Sequence, residues 1–168
     1  MSYQQHQAQA AVIVAGIAIV TLSDTRTEAD DTSGQSIRKS VEHAGHIVAR
    51  YQLIRDEPAE LRVVLEALLA DASVDVILTN GGTGISRRDQ TIDVIERVID
   101  KPLPGYGELF RMLSWEQIGS GAMLSRACGG VARGKLLFAM PGSTKAVELA
   151  MSRLILPELK HLLKELRK

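Results

Sequence analysis

The sequence predicts a three-layer α/β/α domain with a mainly parallel central sheet, on three observations. Apolar runs rich in valine and isoleucine alternate with segments of helical spacing along the chain. Several of those runs are continuous in apolar character, as strands covered on both faces are. A chain of 168 residues, 45% of them apolar, suits one domain with a sizeable core. No repeat, low-complexity tract or linker divides residues 10–168, so a single domain is expected there. Residues 1–9, glutamine-rich and without apolar pattern, read as a poorly ordered leader.

Val12 to Leu22 is the expected first, central strand, ending in Thr21-Leu22-Ser23-Asp24. After an acidic loop, Ser33 is a candidate N-cap, Ile37, Val41 and Ala44 share a helical face, and Gly45 stands where a helix C-terminus wants glycine. Ile47 to Ile54 interleaves Arg50 and Gln52 among apolar residues, which predicts a strand nearer the sheet edge. Pro58 opens a helix carrying Leu61, Val64, Leu65 and Leu68. Val74 to Leu78 is the next strand, and it runs into Asn80-Gly81-Gly82-Thr83-Gly84. Thr91 is a candidate cap for a helix with Ile95, Val98 and Ile99, and Tyr106 to Leu113 marks a further short helix. Leu136 to Met140 is a buried strand that stops at Pro141-Gly142-Ser143-Thr144-Lys145. The terminal segment, Ala146 to Lys168, is helical in spacing and is expected to kink or divide at Pro157.

Composition excludes several functions. Lysine plus arginine (20) balance aspartate plus glutamate (20), which gives no reason to invoke nucleic acid or an anionic membrane. The longest apolar run, Ala10 to Val20, is too short to span a bilayer, and no basic residue precedes it as in a signal peptide. A soluble, cytoplasmic protein is expected. The single Cys128 excludes an internal disulfide and reads as small packing. His43 and His46 are separated by a helix-ending Gly45, which argues against a metal pair. The lysines and arginines of the terminal helix read as a solvated face.

In open α/β sheets ligands collect beyond the carboxyl ends of the strands, where loops and helix N-termini converge. Four loops fit that place: Ser23-Asp24, Asp56-Glu57-Pro58, Gly81 to Asp89, and Pro141 to Lys145. The glycine loop matches neither common phosphate fingerprint. No lysine follows Ser86 as a P-loop requires, and a dinucleotide loop begun at Gly82 would need glycine at Arg87. An anion site and a tight structural turn both remain open for it. Asp56 and Asp89, after successive strands, could together hold Mg²⁺ against substrate phosphates or manage a proton; the alternative is a residue preceding a helix and a partner for an arginine. Pro141 to Lys145 offers backbone N–H groups, a hydroxyl and a cation to an anion, or simply an N-cap at Ser143. Ser125-Arg126 is a further candidate.

Over Val12 to Leu156 the chain resembles the MoaB/MogA family of molybdenum cofactor biosynthesis proteins, which includes the gephyrin G domain. The resemblance is carried by Thr21-Leu22-Ser23-Asp24, Asp30-Asp31-Thr32-Ser33-Gly34, Asp56-Glu57, Thr79 to Asp89, Gly105-Tyr106-Gly107-Glu108, Leu124-Ser125-Arg126 and Met140-Pro141-Gly142-Ser143. Phe110 to Ser114 and Phe138 to Ala146 look closer to the MoaB branch. The resemblance implies a trimer, or a hexamer in the MoaB branch, with molybdopterin as ligand. For active members it implies Mg²⁺- and ATP-dependent adenylylation of the pterin's terminal phosphate. By the same carry-over, Asp56 and Asp89 match the catalytic aspartates, while Gly81 to Gly84, Ser125 and Pro141 to Ser143 match regions that hold the pterin and its phosphate. A non-catalytic molybdopterin-binding or carrier protein of the same fold is the alternative. Asn80 stands where many relatives have threonine or serine, a change expected at the pocket rim, and Ile92 where many have proline, which should cost little.

Overall fold

The computed structural model describes residues 13–168, so the expected leader at residues 1–9 lies outside the described residues. One six-stranded sheet orders the chain as β2-β1-β3-β6-β5-β4. Its parallel part is β1 (Gly16–Leu22), β2 (Ile47–Ile54), β3 (Val76–Asn80) and β6 (Lys135–Met140). The antiparallel part is β5 (Cys128–Ala132), paired to β6 on one side and to the two-residue β4 (Lys101–Pro102) on the other. The helices are α1 (Thr32–His43), α2 (Pro58–Ala70), α3 (Thr91–Val98), α4 (Pro104–Ile118), α5 (Thr144–Ala150) and α6 (Leu156–Leu166).

Alternation along the strands makes two cores. Ile17, Ile19, Val76, Leu78, Leu136, Phe138 and Met140 face α1, α4, α5 and α6 through Ile37, Val41, Phe110, Val147, Leu159 and Leu163. Ala18, Val20, Leu22, Ile77, Leu137 and Ala139 face α2 and α3 through Leu61, Leu65, Leu68, Ile92 and Ile95. The continuous apolar runs are therefore explained by cover on both faces. As its interleaved polar residues predict, β2 is an edge strand. Among the described residues, no helix is long and apolar enough to cross a membrane.

Several boundaries move for identifiable reasons. β1 begins at Gly16 rather than earlier, because the chain before it is held by side chains: Ala15 N donates to His46 Nδ1 at 3.1 Å and Gly16 N to Asp75 Oδ2 at 2.9 Å. This buried histidine acts as a structural acceptor. β3 starts and ends two residues later than expected, since Val74 N closes a turn onto Asp71 O and the ladder runs on through Asn80 to Met140. Ser33 is not the cap of α1. Asp31 is, accepting from Gly34 N at 3.0 Å. Nor does Thr91 cap α3; Gln90 holds that position without a side-chain bond. Gly45, at φ +78°, and Pro58, at the start of α2, take their expected places. Pro157 divides the terminal helix, with one π-helical turn, Met151–Ile155, preceding α6.

One buried polar network joins the ends of three strands to α1. Asp31, with no exposed surface, accepts from Tyr51 Oη at 2.6 Å, from Gly34 N and from Arg26 Nη1 at 3.3 Å. Burial alone would raise the pKa of Asp31, but the hydrogen bonds from Thr21, Tyr51 and Gly34 and the charge of Arg26 outweigh it, and the pKa is lowered. Behind it, Asn80 Nδ2 donates to Thr21 Oγ1 at 2.9 Å.

A lowered folded-state pKa makes Asp31 a source of stability that is complete above its unfolded value, about 3.9, and is lost as pH falls through the lower folded value. Asp31→Asn should lower the urea midpoint at pH 7 and flatten its dependence on pH below about 4. Tyr51→Phe should cost about 1.5–3 kcal/mol, the range for a hydrogen bond to a charged group. Urea titrations from pH 3 to 7 check both, and an unchanged acid limb in Asp31→Asn would refute the assignment.

Candidate active site

Strand order reverses between β1 and β3, since β2 lies on one side of β1 and β3 on the other. Such a switch point opens a crevice at the carboxyl ends of the strands. The register Thr21↔Asn80↔Met140, with Leu22 opposite Ile54, brings all four parallel strands to that edge together. The four loops singled out from sequence consequently converge.

The turn after β1 is built by Ser23, whose hydroxyl accepts from Arg26 N at 3.1 Å. Asp24 Oδ1 then accepts from Asp56 N at 3.2 Å, fixing the loop after β2. Arg88 comes over from the glycine loop to Asp24 Oδ2 at 2.9 Å and Glu57 Oε1 at 3.2 Å. The Asp56 carboxylate lies against Gly82, at φ +62°. A Cβ there would stand 2.4 Å from Asp56 Oδ1 and 2.2 Å from Thr91 Oγ1, so only glycine fits. Asp89 lies on the other flank of the loop, beside Gly84, with its Oδ2 accepting from Ser86 N at 3.0 Å.

The two carboxylates have opposite electrostatics. Burial raises the pKa of Asp56, and the negative charges of Asp89 and Asp24 raise it further. Asp89 is lowered, first by its hydrogen bond from Ser86, then by the N–H groups of Ser86 and Gly84 and the charge of Arg126, which together outweigh desolvation. The pair with glycine between them could take a divalent cation, because magnesium uses one or two carboxylates and fills its remaining positions with phosphate and water oxygens.

The loop after β6 touches the glycine loop directly. A Cβ on Gly142 would lie 3.0 Å from Gly81 Cα, and Gly81 N donates to Met140 O at 3.2 Å. Ser143 caps α5 by accepting from Ala146 N at 3.3 Å, so the capping reading of this hydroxyl is realised. Beyond it a cavity of about 860 Å³ is lined by Ser114, Ser125, Pro141, Ser143, Thr144 and Lys145, among others. A second cavity, about 650 Å³, lies on the far side of Ser125 and Arg126, against α3 and the start of α4.

Not every expected residue faces these spaces. Asn80 is fully buried in the sheet, contrary to its expected place at the rim, because β3 continues through it. Thr83 is also buried. The Arg126 guanidinium is engaged by the loop itself, donating to Gly84 O at 3.1 Å, Asp89 O at 3.2 Å and Asp93 Oδ2 at 2.8 Å. It clamps the segment that carries Asp89. Cys128 is packed, and burial pushes its thiol up to about 12.

Other residues that shape the site were not assigned to it from sequence. Ser33 Oγ donates to Gly142 O at 2.7 Å and Arg26 Nη2 to the same carbonyl at 3.3 Å, which ties the β6 loop to α1. The Asp30 to Gly34 motif marked the region of Ser33, but nothing in the spacing marked Arg26. Ser114 is buried at the wall of the larger cavity, on a helix turn where serine carries no signal of its own.

A family model described as "Probable molybdopterin binding domain" matches residues 18–161. The chain is 48% identical over 169 residues to the Molybdenum cofactor biosynthesis protein B of Halalkalibacterium halodurans, covering 100% of this chain and 99% of that protein. A crystal structure of a Molybdenum cofactor biosynthesis protein B superposes with a TM-score of 0.90 at 49% identity, over 92% of this chain and 97% of that one. The tungsten cofactor synthesizing protein MoaB of Pyrococcus furiosus superposes with a TM-score of 0.83 at 35% identity, over 92% and 98%.

The raised pKa of Asp56 means that its ionised form costs the fold stability above its folded value, a cost that disappears as pH falls below the unfolded value near 3.9. Asp56→Asn should therefore raise the melting temperature at pH 7, on the order of 1–3 °C for a chain of this size. Thermal melts at pH 7 and pH 4 should show the gain only at the higher pH.

Proposed function

The chain belongs to the MoaB/MogA family of molybdenum cofactor biosynthesis proteins, and from that premise we propose that it is a molybdopterin adenylyltransferase. In this reaction an oxygen of the molybdopterin phosphate attacks the α-phosphorus of ATP. The bond from that phosphorus to the bridging oxygen breaks, and pyrophosphate leaves with its electron pair. The observation that carries the reading is the Asp56 and Asp89 pair, held on separate strand-end loops on either side of Gly82 to Gly84, with a second glycine-containing loop in contact behind it.

Phosphoryl chemistry of this kind depends on positioning and charge neutralisation. Asp56 and Asp89 would hold Mg²⁺, which when bound neutralises phosphate charge. Among the described residues, the N–H groups of Gly82 and Thr83 donate to no protein acceptor and can face phosphate oxygens. Lys145 stands exposed at the larger cavity, and Arg87 at the tip of the glycine loop; both supply positive charge near the leaving group. Ser125 lines both cavities and would contact the pterin.

The assay is pyrophosphate release from molybdopterin, ATP and Mg²⁺. Wild-type protein should turn over, and Asp89→Ala should lose at least about a hundredfold in kcat. Full activity in Asp89→Ala would overturn the assignment. Pterin binding without pyrophosphate release would assign the carrier role instead.

Self-association as a homotrimer or homohexamer forms part of the same reading. It is supported by an exposed apolar strip on and after α4, comprising Leu109, Met112, Trp115, Ile118, Met123 and Leu124. The expected helix from Tyr106 to Leu113 is longer than its spacing suggested, and its added turns carry Trp115 and Ile118. Light scattering at micromolar concentration should show an oligomer, and Trp115→Glu should shift it toward monomer. A wild-type monomer would contradict the assembly.

A further inference from the structure

Thr91 is 2% exposed, and its hydroxyl has no hydrogen-bond partner among the described residues. Buried polar atoms in native proteins are almost always paired, and each exception calls for an explanation. The ordinary role of a threonine at a helix start is capping, but Thr91 lies inside α3 and its hydroxyl caps nothing. Its backbone is fixed, since Thr91 N donates to Gly82 O at 3.2 Å.

What the hydroxyl faces is informative. Thr91 Oγ1 and Asp56 Oδ1 both border the hydrogen-sized space over the Cα of Gly82, 2.2 Å and 2.4 Å from where a Cβ would stand. No protein group among the described residues donates to the Asp56 carboxylate. A buried donor without an acceptor thus stands beside an acceptor without a donor, with the missing side chain of Gly82 keeping the path between them clear.

We propose that Thr91 is a positioning residue for Asp56: its hydroxyl donates to Asp56 Oδ1 when the site is loaded, which turns Oδ2 toward the cation and the phosphates. This rests on reading Asp56 as a member of the reacting pair. Thr91 touches no substrate and acts through the carboxylate alone. Because the hydroxyl has no partner among the described residues, its role is read from the cation site and not from folding.

The test compares Thr91→Val, which keeps the shape and removes the hydroxyl, with Thr91→Ser, which restores it. Mn²⁺ serves as the metal probe, with binding followed by electron paramagnetic resonance in the presence of ATP. Thr91→Val should melt no lower than wild type, yet bind Mn²⁺ about tenfold more weakly, the equivalent of one charge-assisted hydrogen bond. Its kcat should fall by about the same factor with KM for ATP unchanged, and Thr91→Ser should recover both to within about twofold. Thr91→Val with wild-type Mn²⁺ affinity would overturn the proposal. So would a variant whose only defect is a melting temperature lowered by several degrees, the mark of a purely structural hydroxyl. The Mn²⁺ measurement reads Thr91 even where wild-type protein releases no pyrophosphate, so failure of the transferase reading is distinguishable. Wild-type protein that binds no Mn²⁺ with ATP would overturn both.

Discussion

The carboxylate of Asp31 is the constraint on which the strand-end architecture depends. A fully buried anion is tolerated only where donors surround it, and here they come from β2 through Tyr51, from α1 through Gly34 and from the β1 loop through Arg26. Each donor belongs to a different element, so satisfying one charge fixes three elements relative to one another. The same Arg26 guanidinium continues to Gly142 O, where Ser33 joins it. The β6 loop is thereby held against Gly81, and the anion is connected by two hydrogen bonds in series to the backbone contact between the two glycine loops. A distant, inaccessible group sets the geometry of an open site.

The parallel half of the sheet could be read from the chain because its signals are local. Continuous apolar runs, Gly45, Pro58 and Pro157 each specify a conformation that no tertiary contact overrides. The antiparallel extension could not. Gly129 and Gly130 carry no strand signal of their own, yet they form β5, because Gly129 packs against the Phe138 ring and Gly130 against the Lys101 carbonyl, where a side chain would collide. Glycine in that strand is a product of close approach, which only the folded structure reveals. The site divided in the same way: Asp56, Asp89 and the glycine loops lie in adjacent strand-end turns, whereas Arg26, Ser114 and Thr91 acquire their places through packing. Asn80 was misplaced for a related reason, since the strand's end is set by pairing with Met140 and not by where the apolar run stops.

The extension matters to the site through Arg126. Just before β5, this residue reaches back across the sheet edge to the carbonyls of Gly84 and Asp89 and to Asp93 on α3. A glycine-rich loop with few contacts of its own has many accessible conformations. Three donors from one rigid fork remove most of them at the segment where Asp89 must be held. The guanidinium was a candidate phosphate ligand by its charge, but its geometry makes it a strut, whereas Arg87 and Lys145 are exposed with no side-chain partner among the described residues.

Two neighbouring carboxylates in contrasting surroundings tend to serve different roles. Asp89 is surrounded by N–H groups that stabilise its charge, so it is a fixed anion whose orientation is already determined. Asp56 is half-buried beside two other negative charges and receives no hydrogen bond among the described residues, so its ionised form is the one that ligand binding can most improve. A cation brought to this pair would relieve repulsion at Asp56 while using Asp89 as a rigid anchor. The repulsion that raises the pKa of Asp56 is the counterpart of that gain, and the orphaned Thr91 hydroxyl beside it follows the same logic. Both groups lack a hydrogen-bond partner among the described residues and are complementary to each other across the one residue, Gly82, whose missing side chain lets them approach.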